Sequence, residues 1–342
     1  MPTEFISDII DIPELIGYVR TTAVLQPPTL LGGIVPEVQV EDLQYELQNV
    51  DATFVNTAKY RSWDAAPPLG KRPGLATIRG EIAPLGLSLT LNEKELKRFT
   101  LLQQGLPGGT AQDIYDDGRN AALACRVRFE AAIGDLLHDG VVTINENGAV
   151  VSADFGVPGA NLVTAATLWS DRTNAVPVTN LLAWEVVYRA ANGGRNPDAW
   201  IISSDVAADL TFNAQVRNLS VGIQSGTVPG IATNPGAILN LAGVQAPLLV
   251  FDGQVANASG VATPTLPVRD VIAYRAGFAS LLYGTTPSAN LLVGNGILDR
   301  QEAAGIVAYV EQQIRPARVI TTGEAVGLPV LRDPKALFRA IV

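Results

Sequence analysis

The chain has 342 residues, of which 47% are apolar and only 17% charged, with a net charge of −9, so it carries more apolar surface than an ordinary monomer core takes up. It contains no apolar run of the roughly 18 to 20 residues that a membrane-spanning helix needs; its greasiest stretch, Leu239 to Phe251, is broken by Asn240, Gln245 and Pro247. One cysteine, Cys125, and one histidine, His138, exclude an internal disulfide, a cysteine cage and a multi-histidine metal site.

The start, Met1-Pro2-Thr3-Glu4, lacks the basic and apolar regions of a signal peptide, so a cytosolic product is expected. Residues 1–50 hold eight acids against one base, Arg20, whereas residues 51–100 hold eight bases against five acids. Neighbouring segments of opposite sign are either two solvated faces or an arm of one subunit matched to a loop of the next. The first fifty residues, broken by Pro13, Pro27, Pro28 and Pro36, show no long amphipathic period and are expected to form an extended arm lying across a neighbour.

From Ala52 to Tyr60 and from Ala76 to Ile82, β-branched and aromatic residues mix with polar ones, which predicts a two-stranded ribbon around a turn-rich tip at 66–74 that carries Lys71 and Arg72. Leu85, Leu87, Leu89 and Leu91 then alternate with small or polar residues, the period of a strand with one buried face. A helix is expected from Ala111 to His138, with Thr110 as its cap. Its stripe is Ile114, Ala122, Cys125, Phe129, Ile133 and Leu136, with Gly118 in the missing place.

Asn147-Gly148 predicts a tight hairpin between 141–144 and 149–153. A helix follows over 178–192, with Pro177 in its first turn and Gly193 at its stop. Ala199 to Ser203 predicts a buried strand leading through Asp205 into a short helix that ends near Phe212. Between about 220 and 300 loops are expected to dominate, with short strands at 248–251 and 271–274, before strong patterning returns at 305–312, 317–321 and 327–338.

Chemistry finds little foothold. His138, beside Asp139-Gly140 at a helix end, suits the helix dipole, and Cys125 on the apolar stripe is core filler. Gly105 to Thr110 lacks the Gly-Lys-Ser/Thr ending of a phosphate cradle. Asp116 and Asp117 are adjacent on a helix, point apart and are expected to be solvated. An α/β enzyme would need a convergent nucleophile and base, and the sequence offers no such pair, so neither catalysis nor a cofactor is expected. An acidic chain with dispersed bases is also poorly suited to gripping duplex DNA.

The order of acidic arm, ribbon, very long helix, α/β segment, loop-rich stretch and terminal strands resembles the HK97-like α+β shell fold of tailed phages. The residue-level likeness is to the phage lambda-type capsid protein E family. It is carried by Pro177-Val178-Thr179-Asn180-Leu181-Leu182, Asp198-Ala199-Trp200-Ile201-Ile202-Ser203 and the tail Gly327-Leu328-Pro329-Val330-Leu331-Arg332-Asp333-Pro334-Lys335.

The resemblance implies an N-terminal arm at 1–50, an extended loop at 51–84, a peripheral domain at 85–204 with its spine helix at 111–138, an axial domain at 205–305, and a peripheral return at 306–342. It implies self-assembly into hexamers and pentamers of an icosahedral head that encloses double-stranded DNA, in a virion assembled in the host cytoplasm. A portal and either a separate scaffolding protein or a scaffolding segment already removed would be implied, with or without a decoration protein, and with no membrane and no cofactor. An encapsulin-like compartment is the alternative of the same architecture. Within this reading Lys71 and Arg72 would meet acids such as Glu37, Glu41 and Asp42 of a neighbour, and Gly118 would be the hinge of the spine helix.

Overall fold

The computed structural model describes residues 4–5, 11–25, 27–50, 75–97, 111–223, 243–256, 260–300 and 303–342. In chain order they form β1 (Glu4–Phe5), α1 (Ile12–Thr22), β2 (Glu37–Gln39), the ribbon strands β3 (Gln44–Val50) and β4 (Leu75–Glu81), β5 (Ala83–Leu91) and the long helix α2 (Ala111–Asp139). A hairpin of β6 (Val141–Glu146) and β7 (Ala149–Asp154) precedes β8 (Leu162–Thr164), α3 (Pro177–Ala191), β9 (Ala199–Ile202), α4 (Ser204–Phe212) and α5 (Ala214–Ile223). Next come β10 (Leu248–Val250), the pair β11 (Gln254–Ala256) and β12 (Ala262–Pro264), β13 (Asp270–Tyr274), β14 (Ala279–Gly284) and α6 (Pro287–Gly294). The chain closes with β15 (Val307–Ile314), β16 (Ala317–Leu331) and β17 (Phe338–Ile341).

Two sheets organise this chain. The first is built on β16, long enough at 15 residues to pair with β15 along its first half, β14 along its second half and β5 on its other side. The helix α2 lies against it, and Cys125, Phe129, Ile133 and Leu136 on the expected stripe are all buried in the largest core cluster, together with Leu281, Leu328 and Val330. The second sheet runs in the order β10-β9-β13-β17-β8.

Alternation sends the side chains of the second sheet two ways. Trp200, Ile202, Val271, Ala273, Phe338 and Ala340 face a core shared with α3, α4 and α5, whereas Ile201 and Ile272 face the main core under α2. The sheet is therefore covered by helices on one side and by the first lobe on the other, which explains why β9 and β13 read as near-continuous apolar runs.

Several sequence expectations hold. The hairpin at 147–148 turns with φ 48° at Asn147 and 87° at Gly148, the positive pair that a type I′ turn needs. The helix at 177–191 has Pro177 in its first turn, and α4 is capped by Ser203, whose hydroxyl accepts from the N–H of Val206.

Others need correction. Residues 12–22 are not extended: Ile12, Leu15, Ile16 and Val19 recur at helical spacing and are buried in α1. Pro13, which suggested a break, sits in the first turn, where its missing N–H costs nothing. This part of the expected arm lies on its own body, and β2 pairs in parallel with β14 of the same chain. A ribbon strand not expected from the sequence lies at 44–50 and pairs antiparallel with 75–81, while the expected strand at 52–60 and the tip lie outside the described residues. The stretch before 300 is also more regular than expected, since β14 and α6 occupy it. An axial unit at 205–305 matches neither sheet, because the second sheet takes strands from 162–164, 199–202, 248–250, 270–274 and 338–341.

Candidate assembly surfaces

The junction of arm, spine helix and first sheet is held by few but specific polar contacts. Glu130 of α2 is buried, and its carboxylate accepts the backbone N–H groups of Leu30 at 2.6 Å and Leu31 at 2.9 Å. Burial raises its pKa, and the two N–H donors oppose that rise. Because the folded value lies above the unfolded one, this group's contribution to stability is full below the unfolded pKa and declines as pH rises through the folded value. Glu130→Ala leaves two buried donors without an acceptor and is expected to cost about 2 to 3 kcal/mol, whereas Glu130→Gln keeps one acceptor and costs about 1 kcal/mol. Thermal melting from pH 5 to pH 8 checks both, with the deficit of Glu130→Gln shrinking as pH rises.

Where α1 crosses α2, Gly118 lets the helices approach. A Cβ there would stand 3.0 Å from Leu15 Cδ1 and 3.4 Å from Val19 Cγ2. Beside this crossing Tyr18 donates to Asp116 at 3.2 Å. Asp116 is thus bound and not merely solvated, and it also approaches Arg119 at 3.7 Å. Asp117 has a raised pKa, from burial first and then from Asp113, Glu95 and Asp116 nearby.

A cavity of about 290 Å³ opens between α1, β2, α2 and β14, with Phe129, Tyr283 and Ile306 among its walls and Arg20, Glu37 and Arg126 among its charged groups. Arg20 donates to the carbonyl of Ala304 at 2.9 Å, and Arg126 pairs with Glu37 at 3.2 Å. Of the acids expected to face a neighbour, Glu37 therefore has a partner within its own chain. Asp42 accepts the N–H of Gln44 at 3.1 Å, and Glu41 is exposed. Lys71, Arg72, Thr110 and the Gly105–Thr110 segment lie outside the described residues.

The remaining chemical candidates are structural. His138 Nδ1 lies 2.5 Å from the buried Asp270 carboxylate, and its own carbonyl accepts from Arg339 Nε at 2.8 Å, so it ties the end of α2 to the second sheet. Burial pushes the Cys125 thiol up to about 12, which leaves it un-ionised and inert. Asp209 is clamped by Arg172 and Arg269, which hold its pKa below the ordinary value against the effect of burial. This network, and the Glu130 clamp, were not picked out from the sequence. A lone acid beside the apolar positions Phe129 and Ile133 was the available signal for Glu130. Among the described residues no group of acids, histidine and cysteine could hold a metal, and no helix is long and apolar enough to cross a membrane.

A long spine helix over one sheet, a second sheet under its own helices and a ribbon at the arm define the HK97-like shell-protein fold. Solved structures with this fold include one described as the capsid protein of a prophage of E. coli CFT073, at TM-score 0.62 and 13% identity over 97% of this chain and 99% of that one. A phage-related protein of Bordetella bronchiseptica RB50 follows at 0.59 and 11% over 96% of each. The mature capsid of bacteriophage PhiM1 stands at 0.52 and 11% over 93% and 88%. No curated protein matches in sequence.

The chain belongs to the phage major capsid protein E family, whose sequence model matches residues 13–342. Its role is that of a structural capsid subunit, and an encapsulin-like compartment is not favoured.

Proposed function

We propose that copies of this chain form hexamers and pentamers that close into an icosahedral head around double-stranded DNA, assembled in the host cytoplasm with a separate scaffolding protein and completed by a portal, with or without a decoration protein. The observation that carries the shell reading is the ribbon. Among the described residues β3 and β4 pair only with each other, and a two-stranded hairpin is marginal on its own. At its base Tyr45 is buried in the main core, while Glu46 and Arg79 form an exposed pair. The cross-strand pair Leu47 and Ile78 also packs against that core, so the ribbon is anchored through its base and joined by no third strand among the described residues, as a segment that leans on a neighbouring subunit would be.

In this reading the unit that crowds the capsomer centre is the second sheet with α3, α4 and α5, and the spine helix and first sheet form the peripheral body. Lys71 and Arg72 meet acids of a neighbour, with Glu41 and Asp42 the exposed candidates and Glu37 reached only by exchange with Arg126. The spine bends near Gly118 when the shell matures. Negative-stain microscopy of the purified protein tests the shell reading: closed particles or capsomers support it, and monomers at all concentrations and salt conditions overturn it. Reversing both Lys71 and Arg72 is expected to lower particle yield and its salt sensitivity. Gly118→Ala is expected to leave subunit melting within about 1 kcal/mol, since helix propensity offsets the contact with Leu15, and to slow maturation.

A further inference from the structure

The helix α3 is apolar on both sides. Val178, Leu181, Trp184 and Tyr188 are buried against the second sheet. The opposite side presents Val176, Thr179, Ala183, Val186, Val187 and Ala190, without a charge among them. Val186 is 57% exposed and Val176 43%. The charges of this helix lie elsewhere, Glu185 buried with its carboxylate accepting the N–H groups of Gln245 and Ala246 and Arg189 half-buried. Solvent therefore meets an uncharged, mostly apolar stripe about 20 Å long at 1.5 Å per residue, where a surface helix normally turns its polar face outward. Other exposed large apolar residues, such as Val150 and Leu291, lie on separate elements.

The same lobe carries a second and unlike apolar feature. β10 is the edge strand of its sheet, unpaired on its outer side among the described residues, and Leu249 and Val250 are 43% and 56% exposed. No charged side chain guards this strand, although edges are usually guarded. A closed ring of identical subunits needs two different patches on each copy, one to meet the other on the next copy around. A self-assembling capsid subunit supplies such copies, and the uncharged character of both patches favours a like protein surface over DNA.

Resting on the shell reading above, we infer that the outward stripe of α3 packs head-to-tail against the β10 edge of the neighbouring copy within a capsomer. The test uses the full chain with Val186→Asp/Val187→Asp as one variant, Leu249→Asp/Val250→Asp as a second and Val150→Asp as a control. Circular dichroism melting shows that each variant is folded. Native mass spectrometry and microscopy are expected to show capsomer yield down by about tenfold or more for the first two and unchanged for the control. An equimolar mixture of the first two is expected to give heterodimers that do not close, because one intact α3 stripe and one intact β10 edge remain between them.

Wild-type particles together with undiminished capsomers from either double variant overturn this contact and leave the shell reading standing. Loss of capsomers without heterodimers on mixing overturns the head-to-tail pairing. A wild-type chain that stays monomeric overturns both.

Discussion

Replacing Trp200 with alanine is expected to lower stability by about 3 to 5 kcal/mol, the cost of emptying a core site of this size. Trp200 lies on β9, between β10 and β13 in the second sheet, and is fully buried. Its ring meets Phe338 edge-on with centroids 5.9 Å apart and Trp184 at 6.3 Å, and Trp184 in turn stacks on Trp169 at 5.8 Å. One truncation therefore removes contacts to β17 and to α3, and leaves the Trp184–Trp169 stack without its backing. Among the described residues the indole N–H meets no hydrogen-bond partner, so shape and apolar area dominate the site. Trp200→Phe should accordingly cost less than half as much as Trp200→Ala, because it discards an unsatisfied donor along with part of the ring. Denaturant midpoints decide it, and an alanine variant within about 1 kcal/mol of the parent would contradict this account of the second core.

A leucine at Gly134 is expected to cost about 3 kcal/mol or more by overpacking. In an exposed helix, replacing a glycine would gain up to about 1 kcal/mol. Here the sign reverses, because a Cβ at this position collides with the carbonyl oxygen of Thr265. That carbonyl has little room to move, since the N–H of Thr265 donates to Gly253 at 2.9 Å and the residue is buried. The contrast with Gly118 is instructive. There the atom met is the end of a leucine side chain, which can shift, so alanine at 118 and leucine at 134 should differ by several degrees in melting temperature. Equal melting of the two would mean that the 265 segment yields as easily as a side chain.

Local signals carried much of the architecture. The spine helix was legible because Ile114, Ala122, Cys125, Phe129, Ile133 and Leu136 keep one face over many turns, and the Asn147-Gly148 hairpin because only certain residues accept its two positive φ values. The helix at 177–191 was bounded by Pro177 and Gly193. What escaped had physical causes. β14 is Ala-Ser-Leu-Leu-Tyr-Gly, buried at nearly every position, and a strand covered on both faces has no alternation to betray it. α1 was hidden by treating Pro13 as a break. The membership of the second sheet joins residues far apart in sequence, from 162 to 341, and no local pattern encodes such pairing. Of the acids proposed to meet a neighbour, Glu41 and Asp42 are exposed, whereas Glu37 pairs with Arg126, a contact that depends on the fold bringing β2 against α2.

The ribbon does not end where its own pairing ends. β4 continues through the buried Ile82 straight into β5, whose nine residues bond in unbroken register to Val319–Gly327 of β16. A pull along the ribbon is therefore met by all of these cross-strand bonds loaded together in shear, and not peeled apart one after another. The strand they hold also bonds to β14 and β15, so tension applied at the ribbon is spread through the body of the subunit and not borne by a single edge.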